Sequence, residues 1–266
     1  MTKAIFSGKL QLYETSFFSH KRKRITMPDG SLANKAKADV TNLDALIIGA
    51  GFSGLYQLLS LRDKLGLRAK VVEAGDGVGG TWYWNRYPGA RCDSESHSYS
   101  YYFDKELLEE WQWSERYPGH AEVVKYLNYA ADKLDLKRDI HFNSKVVSAH
   151  YSQSQNKWVI KTEDQREFVC TYLITAVGCL SSTNIPKFPG HESFEGEWYH
   201  TGRWPNKKIS FKNQKVAQIG TGSSGIQIAP VLAKSVKSLT VFQRTPNYSV
   251  PARNKKLTKT SIKNIL

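Results

Sequence analysis

Asp44-Ala-Leu-Ile-Ile-Gly-Ala-Gly-Phe-Ser-Gly54 is the stretch that decides the fold. Its first half is a short apolar run of the kind that fills a buried strand, and its second half is Gly-x-Gly-x-x-Gly. Leu55, Leu58, Leu59 and Leu61 then recur on one side of a helical pattern. A second apolar strand, Ala69 to Ala74, carries Glu73, 24 positions beyond Gly49. Strand, glycine loop, helix, strand and acid in that order form a complete dinucleotide-binding unit. Gly49 makes the tight turn, Gly51 admits a pyrophosphate, and Gly54 lets the helix pack on the strand. The helix N-terminus offers N–H groups to phosphate, and Glu73 is expected to accept hydrogen bonds from a ribose diol.

The unit recurs later in the chain. Lys215 to Ile219 is a strand, Gly220-Thr221-Gly222-Ser223-Ser224-Gly225 repeats the glycine pattern, a helix runs to about Lys234, and Leu239 to Gln243 is the next strand. Arg244 stands 24 positions beyond Gly220, where the first unit has its acid. An arginine there matches a ribose 2′-phosphate, which an acid would repel. The first site is therefore expected to take FAD and the second NADPH. Between them lie a helix from about Ala121 to Leu134 and strands near 140 to 150, 157 to 163 and 166 to 175, which read as a β-meander. Leu173 to Gly178 reads as a strand returning to the parallel sheet and ending at a close backbone approach. The fold class is α/β, with two Rossmann-like dinucleotide-binding units, one for FAD and one for NADP, and an inserted β-meander.

Working outward, the segment Gly79 to Asp93, GGTWYWNRYPGARCD, joins two glycines, three large aromatic residues, a Tyr87-Pro88-Gly89 turn, Arg86, Arg91 and a closing acid. Glycines let backbone come close to a ligand, and indoles give broad apolar walls with one donor each. The mixture suits a loop beside a planar redox ligand. Ser223 and Ser224 read as phosphate contacts, since no nucleophile elbow or partnered histidine accompanies them.

The 266 residues carry a formal charge of +14, which invites a nucleic-acid reading. Its distribution argues against one. Residues 1–43 hold eight Lys/Arg against three acids and residues 251–266 hold five against none, so the ends supply +10. The Lys21–Arg24 run reads as a solvated tail, and Met27 is an alternative start. No apolar run is long enough to span a bilayer, and the N-terminus has no signal-peptide pattern. Cys92, Cys170 and Cys179 form no CxxC pair and no even disulfide framework. A cytoplasmic protein without membrane, nucleic-acid or metal partners is expected.

Between the two units, Phe194-Glu-Gly196-Glu-Trp-Tyr-His200-Thr-Gly-Arg-Trp204-Pro205 spells FxGxxxHxxxWP. With the Gly79–Asp93 loop, this resembles the type I Baeyer–Villiger monooxygenases, phenylacetone and cyclohexanone monooxygenase among them. The resemblance runs from about Asp44 to Asn254. It implies that Gly49, Gly51, Ser53, Gly54 and Glu73 hold FAD, that Thr81, Trp82, Tyr83 and Trp84 flank the flavin, and that Asp93 and Tyr99 reach it from the loop beyond. Val146 would meet the adenine end through its backbone. Arg91, Cys92 and Asp93 would lie on the nicotinamide side, and Gly220, Thr221, Gly222, Ser223, Ser224, Gly225, Arg244 and Thr245 would take NADPH phosphates. His200 would act as a hinge or relay.

The implied reaction uses NADPH, FAD and O₂ to convert a small ketone into an ester or lactone. Asp93 matches the acid that pairs with the family's catalytic arginine, which has no counterpart among these residues. Family members are about twice as long, so the resemblance implies the N-terminal half of an enzyme, inactive alone and completed by a C-terminal half. A nucleotide-binding remnant without turnover and a flavin-dependent N- or S-monooxygenase are the alternatives. The expected organisation is a disordered basic lead-in at 1–43, the FAD unit at 44–180, a linker with the fingerprint at 181–214, the NADP unit at 215–254 and a basic tail at 255–266.

Overall fold

The computed structural model describes the main chain of residues 2–6 and all of residues 40–258. Its strands are β1 (Thr2–Phe6), β2 (Val40–Ile48), β3 (Ala69–Val72), β4 (Ile140–His141), β5 (Val146–Ser152), β6 (Lys157–Thr162), β7 (Glu167–Thr175), β8 (Glu197–His200), β9 (Lys215–Ile219) and β10 (Ser238–Phe242). Its helices are α1 (Phe52–Leu59), α2 (Thr81–Trp84), α3 (Lys105–Glu110), α4 (His120–Lys133) and α5 (Ser223–Leu232).

The first sheet has the order β4-β3-β2-β7-β6-β5. Its first four strands are parallel, and β7, β6 and β5 continue it as an antiparallel meander. The apolar run of β2 is continuous because both faces of a central parallel strand are covered. Ala45 and Ile47 pack with Leu55, Leu58, Val123 and Tyr126 of α1 and α4. Leu46 faces the other way, onto Val72, Ile160, Phe168 and Cys170. The second sheet, β10-β9-β1-β8, is wholly parallel.

Several boundaries differ from the sequence reading, each through pairing that local pattern does not carry. Val40–Leu43, read as lead-in, extend β2 because their backbone pairs with Glu167–Cys170 of β7. Thr2–Phe6, also read as disordered, lies between β8 and β9, with hydrogen-bonded partners on both sides. The Lys21–Arg24 run and Met27 lie outside the described residues. The strand expected near 140 to 150 is two strands: β4 pairs with β3, and β5 opens the meander. Conversely, the meander strand and the returning strand are one, since β7 is antiparallel to β6 and parallel to β2. The close approach falls at Ala176, whose carbonyl oxygen lies 2.6 Å from where a Cβ on Gly49 would sit. Gly178 meets nothing there, and its φ of +71° accounts for the glycine.

The start of the segment expected as a basic tail turns back onto the first unit. Arg116 N–H donates to the Lys255 carbonyl at 2.9 Å, and Leu257 N–H to that of Ser114 at 2.9 Å. Beside it, an aromatic cluster of Phe52, Trp111, Trp113, Tyr101 and Tyr126 closes over α4. Tyr126 is fully buried, and its hydroxyl oxygen accepts from Tyr101 N–H at 2.6 Å. Tyr126→Phe keeps the ring and strands that N–H, so it should cost about 1–3 kcal/mol. A urea midpoint equal to that of the wild type would contradict this account of the cluster.

Candidate functional site

Both glycine loops lie at the C-terminal ends of parallel strands, where α/β sheets bind ligands. In the first, the packing leaves no room for side chains. A Cβ on Gly54 would sit 1.8 Å from the Gly49 carbonyl oxygen, and one on Gly51 would sit 3.3 Å from Gly80 Cα. Helices α1 and α5 start at Gly51 and Gly222, and neither has a capping side chain or an acid in its first turn. Their first N–H groups are thus left to a ligand, and phosphate suits them. Ser53 and Ser223 are exposed in these first turns.

Glu73 is 4% exposed and already braces the loop. Ala50 N–H donates to its Oε2 at 2.7 Å and Gly75 N–H to its Oε1 at 2.8 Å. The carboxylate ties the end of β3 to the turn after β2 and keeps lone pairs for further donors. Sequence reasoning assigned it only the ligand role. The second loop has a different brace: Gln218, 1% exposed, donates through Nε2 to the carbonyls of Gly220 and Gly225 at 2.9 and 3.1 Å. Thr221 is held by Gln243, whose Nε2 donates to its hydroxyl at 2.8 Å, and by Asn247. Space around Gly222 is open. Arg244 and Thr245 are exposed just beyond β10.

The Gly79–Asp93 loop lies against both units. Gly79 N–H donates to the Ala50 carbonyl at 3.0 Å, which draws the loop onto the first glycine turn. Thr81–Trp84 form one helical turn. The Trp82 ring meets Tyr99 edge-on at 5.5 Å, and Tyr99 meets Phe52 at 5.7 Å. Tyr83 seats in a socket made by Gly75, Gly77 and Gly79, with its hydroxyl donating to Asp76 at 2.5 Å, while Trp84 is a little under half exposed. The loop's far end meets α5. The Tyr87 hydroxyl donates to Gln227 Oε1 at 2.8 Å, and Gln227 Nε2 donates to the Arg91 carbonyl at 3.0 Å. A Cβ on Gly89, whose φ is +86°, would stand 2.4 Å from the Gln227 carbonyl oxygen. Gln227 is the contact that sequence reasoning missed; a lone polar side chain within the apolar run Ile226-Gln227-Ile228-Ala229 was its signal.

Electrostatics divide the residues after the turn. Asp93 is exposed, and its charge faces Tyr87, Cys92 and Tyr99. Burial pushes the Cys92 thiol up to about 12, and the Tyr99 phenol also to about 12. Cys92 therefore stays a protonated, inert thiol at neutral pH. Arg91 pairs with Glu115 at 3.5 Å, both partly exposed. Val146 starts β5 beside a bulge, remote in sequence from either glycine loop. His200 is buried and its Nδ1 accepts from Gly202 N–H at 3.1 Å, capping a short 3₁₀ turn, while burial lowers its pKa. Trp204 packs with Tyr87, Phe211 and Ile228, so the FxGxxxHxxxWP segment supports the same turn that Gln227 grips.

The family model for pyridine nucleotide-disulphide oxidoreductases matches residues 46–266. The chain is 46% identical over 214 residues to the acetone monooxygenase (methyl acetate-forming) of Gordonia sp. (strain TY-5), covering 80% of this chain and 40% of that protein. It is 42% identical over 219 residues to a phenazine N-monooxygenase of Lysobacter antibioticus, covering 82% and 40%. Its fold matches cyclohexanone monooxygenase from Rhodococcus sp. Phi1 bound to NADP+, with TM-score 0.82, 44% identity and coverage of 85% and 43% of the two chains. It also matches OTEMO in complex with FAD and NADP, with TM-score 0.79, 40% identity and coverage of 86% and 43%. The chain thus spans about two fifths of the length of these relatives.

The two second-loop and turn glycines give opposite expectations. Gly222→Ala, at an extended backbone with open space, should leave the melting temperature within about 2 °C and weaken NADPH binding. Gly89→Ala should lower stability by more than 1 kcal/mol, on the order of other strained replacements. Thermal melts with and without NADPH separate the two; equal destabilisation by both would contradict the geometry.

Two glycine loops in tandem, the aromatic loop between them and the matched span together assign the chain: it belongs to the pyridine nucleotide-disulphide oxidoreductase family, and within it resembles the Baeyer–Villiger monooxygenases.

Proposed function

We propose that this chain provides the FAD- and NADPH-binding parts of a Baeyer–Villiger monooxygenase, which inserts one atom of O₂ beside a ketone carbonyl to give an ester or lactone. The observation that carries this reading is the pair of uncapped helix starts, α1 and α5, bridged by one aromatic loop. When bound, the two cofactors supply the hydride and oxygen chemistry. The residues fit them: α1 and its glycines leave N–H groups for a pyrophosphate, Glu73 keeps acceptor sites for a ribose, and the space at Gly222 admits a second pyrophosphate. Trp82, Tyr99 and Phe52 wall the flavin side and exclude water.

Asp93 holds a negative charge beside Cys92 and Tyr99, with no ion-pair partner among the described residues. In this reading it orients an arginine contributed by residues outside the matched span. Val241, Phe242, Tyr248 and Val250 are exposed, and the same further residues would cover them. A second reading, an N-oxygenating flavoenzyme, is favoured by the likeness to the phenazine N-monooxygenase. Product analysis with a cyclic ketone and with an N-heteroaromatic substrate separates the two.

Arg244 decides the pyridine nucleotide. Arg244→Ala should weaken NADPH binding by about 1.5–3 kcal/mol and leave NADH nearly unchanged, the range for a charge-assisted contact. Equal losses for both nucleotides would remove Arg244 from the site. The chain alone, given FAD, NADPH, O₂ and cyclohexanone, should form no lactone at enzymatic rates, because loss of an anion-stabilising group alone costs about 10²- to 10³-fold. Lactone formation coupled to NADPH use would show that another residue here does the arginine's work.

A further inference from the structure

A cavity of about 380 Å³ lies apart from both glycine loops, between the outer side of the Tyr87–Gly89 turn and the segment that follows the fingerprint tryptophan. Its walls are Arg86 to Gly89, His120 and Trp204 to Ile209. Three permanent cations, Arg86, Lys207 and Lys208, line it, and no acid does. None of the three has an ion-pair partner among the described residues. Arg86 is instead stacked over the Tyr83 ring, with its guanidinium carbon 4.5 Å from the centroid. His120 completes the polar lining, and its Nδ1 is buried without a hydrogen-bond partner. Asn206 adds an amide.

Three cations around one concave surface that no acid lines raise the local concentration of anions there. Some described cations are paired, as Arg62 is with Asp139 and Lys133 with Glu110, and others, such as Lys212 and Lys234, are not; Arg86, Lys207 and Lys208 are set apart by sharing one concavity that no acid lines. An arginine fork with two lysine point charges matches a dianionic phosphate better than a carboxylate. The remaining walls, Pro88, Pro205 and Ile209, are apolar, and the volume falls at the small end of ligand pockets, so an organic group fits beside the phosphate.

We propose that this cavity binds the phosphate group of a small organic phosphate, at a site separate from both dinucleotide sites. One of its walls is the turn that Gln227 grips, so an occupant touches the loop shared by the two units. The proposal does not depend on the oxygenase reading.

The test is titration of the purified chain with phenyl phosphate, followed by calorimetry at constant ionic strength, with inorganic phosphate and benzoate in parallel arms. Phenyl phosphate should bind saturably, and more tightly than either of the others. Lys207 and Lys208 are exposed, so the double variant Lys207→Gln/Lys208→Gln should fold normally, and it should bind phenyl phosphate about tenfold or more weakly, as expected for lost charge-assisted contacts. Arg86→Gln should act similarly and Arg86→Lys should recover part of the affinity, while Gly222→Ala should leave it unchanged. Affinity unaltered by the lysine double variant, no saturable binding, or loss in Gly222→Ala alone would each overturn the proposal, the last by moving the phosphate to the second glycine loop.

Discussion

The amide of Gln227 does what no pair of apolar groups could: it accepts from Tyr87 with one end and donates to the Arg91 carbonyl with the other, beside the turn where Gly89 comes close to the Gln227 main chain. A helix of the second unit and a loop of the first are thereby fixed in register. Trp204 and Tyr87 close an apolar layer beneath the same contact. Burial strengthens such bonds and makes their loss expensive, since two main-chain or phenolic groups would be left unsatisfied together. The position of α5 against the loop therefore rests on the Gln227 side chain and Gly89 together with the apolar layer of Tyr87, Ala90, Trp204, Ile228 and Leu232.

The loop is fixed at its other end by a different device. There Gly80 and Gly51 approach backbone to backbone, and Glu73 holds the turn after β2 with both carboxylate oxygens. Two glycine turns and an acid do structural work that a ligand would exploit afterwards. A nucleotide entering this loop meets donors already oriented, which lowers the ordering cost of binding. The second loop is braced by Gln218, Gln243 and Asn247 through neutral amides. It is the more open of the two: a Cβ at Gly222 would meet nothing, whereas Cβ atoms at Gly49, Gly51 and Gly54 would each meet backbone.

The glycine loops, their helices, the meander and the sign difference between Glu73 and Arg244 were legible because each depends on residues within about thirty positions. What was not legible depends on distant partners. Nothing local in Val40–Leu43 announces a strand, since Glu167–Cys170 supply its hydrogen bonds. Thr2–Phe6 are too few for a periodic pattern and gain their conformation from β8 and β9. The split of β4 from β5, and the double duty of β7, follow from which edge is available. In the candidate site, residue types pointed to ligands, whereas the structure gives Tyr83, Glu73 and His200 bracing roles first. Their hydrogen bonds, to Asp76, to two main-chain N–H groups and from Gly202, are invisible in composition.

The pairing of β2 with β7 has a consequence for how the chain is made. Leu43 pairs with Cys170 and Ile48 with Thr175, so the apolar strand that starts the fold emerges from the ribosome long before its main partner exists. Until then Leu46 has no cover from Phe168 or Cys170, and one edge of β2 is bare. Helices α1 and α4 can shield the opposite face early, through Leu55 and Tyr126. The nascent protein is thus only partly wrapped between the emergence of Ile48 and that of Thr175, and that interval is when a chaperone that grips extended apolar strands has something to hold.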